Sequence, residues 1–163
     1  MSDGNFLDVA EFHMKMDIPR PTTPTVPADD VLQYRVLFME EELDEFRQAM
    51  ADFVRGRQAH LAGDELAIAY PPTSQLKATA KMADALIDLV YVAMGTAYLM
   101  GLPWRDLWDE VQRANMAKER AASPEESASK TGRGHSLDVV KPVGWTPPDI
   151  EAILQRHGWR PSL

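Results

Sequence analysis

Five carboxylates stand at spacings that could hold a divalent cation. Glu41, Glu42 and Glu45 form an E-E-x-x-E cluster. On a helix, 41 and 45 lie one turn apart on one face and 42 sits about 100° round. Asp84 and Asp88 are likewise one turn apart, among Leu86, Ile87, Leu89, Val90, Tyr91, Val92 and Met94. A carboxylate buried without a partner costs on the order of several kcal/mol, so it must be protonated, ion-paired or bound to a metal. Lys81, one turn before Asp84, can neutralise one of the pair but scarcely both. If the acidic side of the first cluster packs beside Asp84 and Asp88, the carboxylates meet with no comparable number of cations. All-oxygen donors then suit Mg²⁺ or Mn²⁺ rather than zinc. Glu40 and Asp44 are acidic as well, so for the first cluster alone a solvated acidic face is the simpler reading.

Two long helices must position these groups. Leu32, Val36, Met39, Leu43, Phe46, Met50 and Phe53 alternate spacings of four and three, which predicts a helix over 30–60 packing on another at a shallow angle. Measured against that stripe, Glu41 and Glu45 point to the opposite side. Gly63, Asp64, Pro71 and Pro72 break the pattern, and Thr73 or Ser74 offers the cap of a second long helix that runs to Gly101. Its uncharged run, 89–104, is shorter than the roughly 20 apolar residues of a membrane span, and a buried core helix is expected. Upstream, Phe6, Val9, Phe12 and Met16 predict a short amphipathic helix, and four prolines within 19–27 predict an extended strap. Downstream, Gly101 and Pro103 mark a tight helix connection. Trp104, Trp108 and Val111 then form a stripe that Asn115 and Lys118 extend. Residues 121–140, rich in Ser, Ala, Gly and Glu, read as a mobile loop in which Lys130 and Arg133 flank Gly132 and Gly134. Such a loop could wrap phosphate on ordering, but a charged flexible linker is the simpler reading. Thr146-Pro147-Pro148-Asp149 predicts a last helix capped by Thr146 and ending near Gly158. No strand pattern and no internal repeat stand out.

Composition narrows the function classes. A chain of 163 residues with 45% hydrophobic content fits one domain with a sizeable core. The net charge of −8 opposes binding to nucleic acid or an anionic membrane and favours cations, or ligands that arrive with them. With no Cys there are no disulfides, thiol nucleophiles or zinc ribbons, and the four His are too scattered for an imidazole metal site. Cysteine absence is compatible with a reducing cytoplasm, and the first residues do not resemble a secretory signal, so a cytoplasmic protein is expected. Nothing fits a phosphate-binding G-x-x-x-x-G-K-[S/T] loop or a G-x-S-x-G nucleophile elbow. Trp104, Trp108 and Trp145 could stack a base, although aromatic residues at helical spacing more often belong to a core.

Taken in order, four segments resemble the all-α nucleoside triphosphate pyrophosphohydrolases, which include MazG, phosphoribosyl-ATP pyrophosphohydrolase and the MazG-like dUTP diphosphatases. The segments are Glu41-Glu42-x-x-Glu45, Asp84-Ala-Leu-Ile-Asp88-Leu-Val-Tyr91 with Gly95 and Thr96, Ala114-Asn115-Met116-Ala117-Lys118, and Lys141-Pro-Val-Gly144-Trp145-x-Pro147-Pro148-Asp149. Many members place Glu three residues before the aspartate that matches Asp88; here that residue is Ala85, and Asp84 stands one place earlier. The resemblance runs over about 31–148 and implies an all-α, MazG-like helical bundle completed by dimerisation; the short helix and strap of 1–29 then precede a pyrophosphohydrolase-like stretch over 30–163, in a single domain overall. It implies Mg²⁺-dependent (Mn²⁺ is an alternative) hydrolysis between the α- and β-phosphates of a (deoxy)nucleotide such as dUTP. Glu41, Glu45, Asp84 and Asp88 would hold metal. Glu42, a candidate ligand too, would orient or deprotonate the attacking water. Lys118 and Lys141 would neutralise outer phosphates, Asn115 would hydrogen-bond sugar or phosphate, and Trp145 would line the substrate site. The partners implied are a nucleotide and a second copy of the chain, as a homodimer or a dimer of dimers, with no nucleic acid and no membrane. Phosphoribosyl-ATP hydrolysis in histidine synthesis is the second enzyme reading, and a non-catalytic helical module on the same scaffold is the third.

Overall fold

The computed structural model describes residues 4–62 and 72–160, and its architecture is all-α with one minimal hairpin. The chain forms two compact units, one joining 1–21 with 26–101 and the other joining 22–25 with 102–163.

Among the described residues the first unit holds three helices. Helix α1 (Gly4–Lys15) buries Phe6 and Val9, as their spacing predicts, but Phe12 and Met16 of the expected stripe are exposed and the third buried side chain is His13. It stops at Asp17, whose φ of 56° ends the helical run ahead of the prolines, and 18–28 is non-helical. Helix α2 (Asp29–Ala62) opens on two acids that suit its positive N-terminus and packs along α3 (Pro72–Leu99). The α3 helix starts at Pro72 rather than after a Thr73 or Ser74 cap, because proline already has the φ of a first helical turn. The expected breakers Gly63, Asp64 and Pro71 lie outside the described residues.

The expected seven-residue stripe of α2 is split. Met39, Phe46 and Phe53 are half-buried, whereas Val36, Leu43 and Met50, one heptad apart, are exposed. The face turned to α3 instead runs through Arg35, Phe38, Glu42 and the buried Ala49. One helix partner covers a single arc of α2, and it sits to one side of the stripe. The α3 helix shows the same asymmetry: Ala78, Ala85 and Val92 are buried, while Leu86, Ile87 and Val90 are exposed. By length and composition α3 could cross a membrane, but a single such helix is weak evidence, and a helix packed on α2 and α1 passes the same test.

The second unit begins where Gly101, at φ 62°, ends the long helix by taking the left-handed conformation. Pro103 then caps α4 (Trp104–Met116). Residues 121–140 are not the expected loop. Glu119–Arg120 (β1) pairs antiparallel with Val139–Val140 (β2), and between them lies helix α5 (Pro124–Thr131). Ser123 caps α5 by accepting the Glu126 amide at 3.2 Å, and the Glu126 carboxylate accepts the Ala122 amide at 2.6 Å. This reciprocal pair with proline at the first helical position is a strong start signal, obscured in the sequence by its Ser- and Gly-rich surroundings. Gly132, at φ 78°, closes the helix. The last helix, α6 (Ile150–Arg156), is capped by Asp149, not Thr146.

Candidate active site

The long helices bring the acidic residues together. Glu42 sits half-buried on the α3-facing side of α2, and its carboxyl is pushed above the ordinary range, first by burial and then by the negative charges of Asp88, Glu45, Glu41 and Asp84. All five sequence-derived carboxylates therefore share one electrostatic neighbourhood. Asp84 and Asp88 are exposed in the single chain, not buried as their apolar neighbours implied. The buried residue of that turn is Ala85, which is 1% exposed.

Glu42 and Asp88 also edge a pocket of about 600 Å³ that pattern reasoning missed. Its walls are aromatic: Phe12 from α1 meets Tyr91 of α3 edge-on at 5.7 Å, and Tyr34 meets Phe38 on α2 at 4.7 Å. Arg35 lies among them. Its Nη2 donates to the Val92 carbonyl at 2.7 Å and its Nε to Thr96 Oγ1 at 3.1 Å. Thr96 Oγ1 in turn donates to the same carbonyl. Both acceptors are neutral, Nη1 has no hydrogen-bond partner among the described residues, and burial lowers the guanidinium pKa. A cation so placed, beside an aromatic cleft and a set of carboxylates, is suited to meet an acceptor on a ligand.

His13 completes the wall. Its Nδ1 is 2.8 Å from the Val9 carbonyl and its ring lies 4.7 Å from that of Tyr98, whose hydroxyl donates to the Ile18 carbonyl at 3.1 Å. Gly95 is what lets α1 approach. A Cβ there would come within 2.9 Å of both Arg35 Nη2 and His13 Cε1. The available sequence signals were Tyr34 and Phe38 one turn apart and a glycine within an otherwise strong helix, but only the packing of α1 makes them a cavity.

The remaining sequence-derived residues lie in the second unit. Asn115 is exposed, and its Oδ1 accepts Lys118 Nζ at 2.8 Å. Lys118 lies just beyond the end of α4 rather than on its stripe. Trp145 donates its indole N–H to the Ala114 carbonyl at 2.7 Å, and the ammonium of Lys141 lies 4.4 Å from the centre of its ring. Trp145 therefore anchors a loop to α4 and holds Lys141. Trp104 and Trp108 pack on each other at 5.8 Å and do not line the aromatic pocket.

Hard carboxylate oxygens are chemically suited to Mg²⁺-like cations. Among the described residues, no three acidic or imidazole side chains already stand as a formed metal site. Glu41, Glu42, Glu45, Asp84 and Asp88 fit such a cation in kind and charge. Pyrophosphohydrolases of this type generally use divalent metal ions.

The sequence profile of phosphoribosyl-ATP pyrophosphohydrolase matches residues 9–115, from α1 through the end of α4. Comparison with curated individual proteins gave no match. The matched stretch contains the five carboxylates and most of the aromatic pocket's wall, and it makes this chain a member of the phosphoribosyl-ATP pyrophosphohydrolase family, a hydrolase acting on phosphoric anhydrides.

Proposed function

We propose that the protein is a Mg²⁺-dependent nucleotide pyrophosphohydrolase that cleaves the α–β phosphoric anhydride of a (deoxy)nucleoside triphosphate such as dUTP, releasing the monophosphate and pyrophosphate. The observation that carries this reading is the aromatic pocket ending on Glu42 and Asp88. Phe12, Tyr34, Phe38 and Tyr91 offer ring faces to a base. Arg35 Nη1 offers a donor to a base carbonyl or phosphate oxygen.

Glu41, Glu45, Asp84 and Asp88 are the residues that would hold the metal, with Glu42 as a further candidate. A bound divalent ion supplies charge neutralisation of the phosphates and a lowered pKa for a bound water. Glu42, offset from Glu41 and Glu45 around α2, accepts the proton of the attacking water or orients it. Asn115 hydrogen-bonds sugar or phosphate, Lys118 and Lys141 neutralise outer phosphates, and Trp145 holds Lys141 in place.

A homodimer, alone or doubled into a dimer of dimers, is part of the reading. Leu86, Ile87 and Val90 on α3 and Val36, Leu43 and Met50 on α2 are exposed in the single chain. Covering such a side chain is worth about 1.5–3 kcal/mol when complete. A second copy provides the matching faces, as in symmetric helical bundles. Sedimentation equilibrium at micromolar concentration should show no folded species of 18.3 kDa; an active monomer would overturn this part.

The family match favours a second reading, phosphoribosyl-ATP as substrate. Pyrophosphate release across a nucleotide panel that includes dUTP and phosphoribosyl-ATP, with and without Mg²⁺, decides between them. Mg²⁺-dependent release from a nucleoside triphosphate supports the first reading, and release from phosphoribosyl-ATP alone supports the second. Release from neither, by folded protein with Mg²⁺, would overturn both and leave a non-catalytic helical module.

A further inference from the structure

The second unit contains a cleft of about 560 Å³ lined by Lys118, Lys130, Thr131, Arg133, Val139 and Lys141. Four cations and no acid form this lining, in a chain whose net charge is −8. The residues come from both sides of the β1–β2 pair and from α5, and all lie beyond the family match, which ends at 115.

Each cation is held. Lys118 and Lys141 are placed by neutral partners, the Asn115 amide and the Trp145 ring, and make no ion pair among the described residues, so their charge is uncompensated. Lys130 is steadied by Glu126 at 2.7 Å, one turn back on α5. Arg133 is paired with Asp138 at 2.6 Å. Asp138 is 7% exposed and also takes the Ser127 and Thr131 hydroxyls, each at 2.6 Å. These donors, Arg133 first, hold its carboxyl far below the ordinary range. Ser127 is fully buried beneath it. The segment is a capped helix docked on an ionised carboxylate, and it presents Lys130 and Arg133 from a fixed base.

We propose that this cleft binds the pyrophosphate group, as a free ion or as the terminal phosphates of a nucleotide, and that α5 supplies two of its four cations. Charge-assisted bonds to several phosphate oxygens require this density of donors, and an acidic chain can muster it only where cations are clustered by design of the backbone. The proposal extends the proposed function, in which Lys118 and Lys141 already meet phosphate, to residues that the family match does not reach.

The test is calorimetric titration of the full chain with inorganic pyrophosphate and, separately, with a non-hydrolysable α,β-imido nucleoside triphosphate, both without metal. Wild type should bind pyrophosphate saturably and more weakly as salt rises. Lys130→Gln and Arg133→Gln should each weaken binding about ten-fold, and Arg133→Lys should recover part of the loss. Lys77→Gln, on α3, should change nothing. Loss in both titrations identifies the nucleotide's terminal phosphates as an occupant, and loss for pyrophosphate alone identifies the free ion. If Arg133→Gln unfolds α5, seen in circular dichroism, Lys130→Gln carries the test because its partner Glu126 is partly solvated. Unchanged affinities in folded Lys130→Gln, or equally tight binding of a single-stranded oligonucleotide, would overturn the proposal. Catalysis is read separately: normal pyrophosphate binding with no hydrolysis overturns the proposed function and leaves the cleft standing.

Discussion

Replacing Gly95 with Ala tests whether the aromatic pocket is rigidly built. The new methyl would lie 2.9 Å from Arg35 Nη2, 2.9 Å from His13 Cε1 and 3.2 Å from His13 Nε2. Neither neighbour can step aside freely. Arg35 is tied to Val92 and Thr96, and His13 is tied to Val9 and lies against the Tyr98 ring. Overpacking of this kind costs about 1–3 kcal/mol. Alanine would return about 0.5–1 kcal/mol as the better helix former. The net expectation, from the middle of both ranges, is a loss of about 1 kcal/mol. For a chain of this size that lowers Tm by roughly 2–4 °C. Thermal unfolding followed by circular dichroism reads the stability. Steady-state kinetics should show KM rising more than kcat falls, because the displaced groups line the pocket and not the carboxylate set. A variant as stable as wild type or more so, with unchanged KM, would mean that α1 does not dock against Gly95 as described, and the argument for a preformed pocket would fail with it.

Other consequences are open to direct measurement. Saturating Mg²⁺, at about 100 times its Kd, should stabilise the folded state by about 2.7 kcal/mol and raise Tm by roughly 5–10 °C; Asp88→Ala should abolish this shift while preserving helical content, and an equal shift in both proteins would remove Asp88 from the ligand set. Glu42→Gln should lower kcat by ~10² to 10⁴ while nucleotide–metal affinity persists; loss of metal binding, seen in the same titration, would make Glu42 a ligand instead. Glu110 is held at a pKa of about 2, against 4.5 ordinarily, by Arg113 and by the Asp149 amide. Its folded-state pKa is the lower one, so it stabilises the fold above about pH 4.5, and the contribution fades as pH falls through about 2. Acid titration followed by tryptophan fluorescence should show Trp145 loosening in that window, and Glu110→Gln should flatten the transition; an unchanged profile would show that Glu110 does not hold the loop.

The long helices were legible because their apolar spacing persists for many turns and prolines bound them. Their orientation was not. The stripe through Val36, Leu43 and Met50 fixes a helix but does not say which arc the neighbouring helix covers, and in the single chain that arc runs through Arg35, Phe38 and Glu42. The apolar neighbours of Asp84 and Asp88 imply a core position for both, yet Ala85 occupies the buried one. Helix α5 was hidden by composition, although Ser123 and Glu126 carried the capping signal. Capping of the last helix moved from Thr146 to Asp149 for a tertiary reason: the Asp149 amide donates to Glu110 at 2.9 Å while its side chain accepts from Ala152 at 3.1 Å. The aromatic pocket depends on α1 meeting α3 across some eighty residues, as the Tyr98–Ile18 hydrogen bond does, and no local pattern reports such a meeting.

The β1–β2 pairing has a bearing on how this protein could be remade. Glu119 sits opposite Val140 and Arg120 opposite Val139, and the Ala121 amide donates to the Asp138 carbonyl at 2.9 Å. Everything from 122 to 137 therefore leaves and returns at one doorway. Lengthening or shortening a segment whose ends are already clasped changes closure entropy slowly, by about 0.6 kcal/mol per doubling. A short turn could replace the whole excursion, or a different excursion could be spliced in, without altering the register of the two strands. The clasp makes two cations of the lysine- and arginine-lined cleft an exchangeable cassette, while Lys118 and Lys141, rooted on either side of the doorway, would remain with whatever is installed.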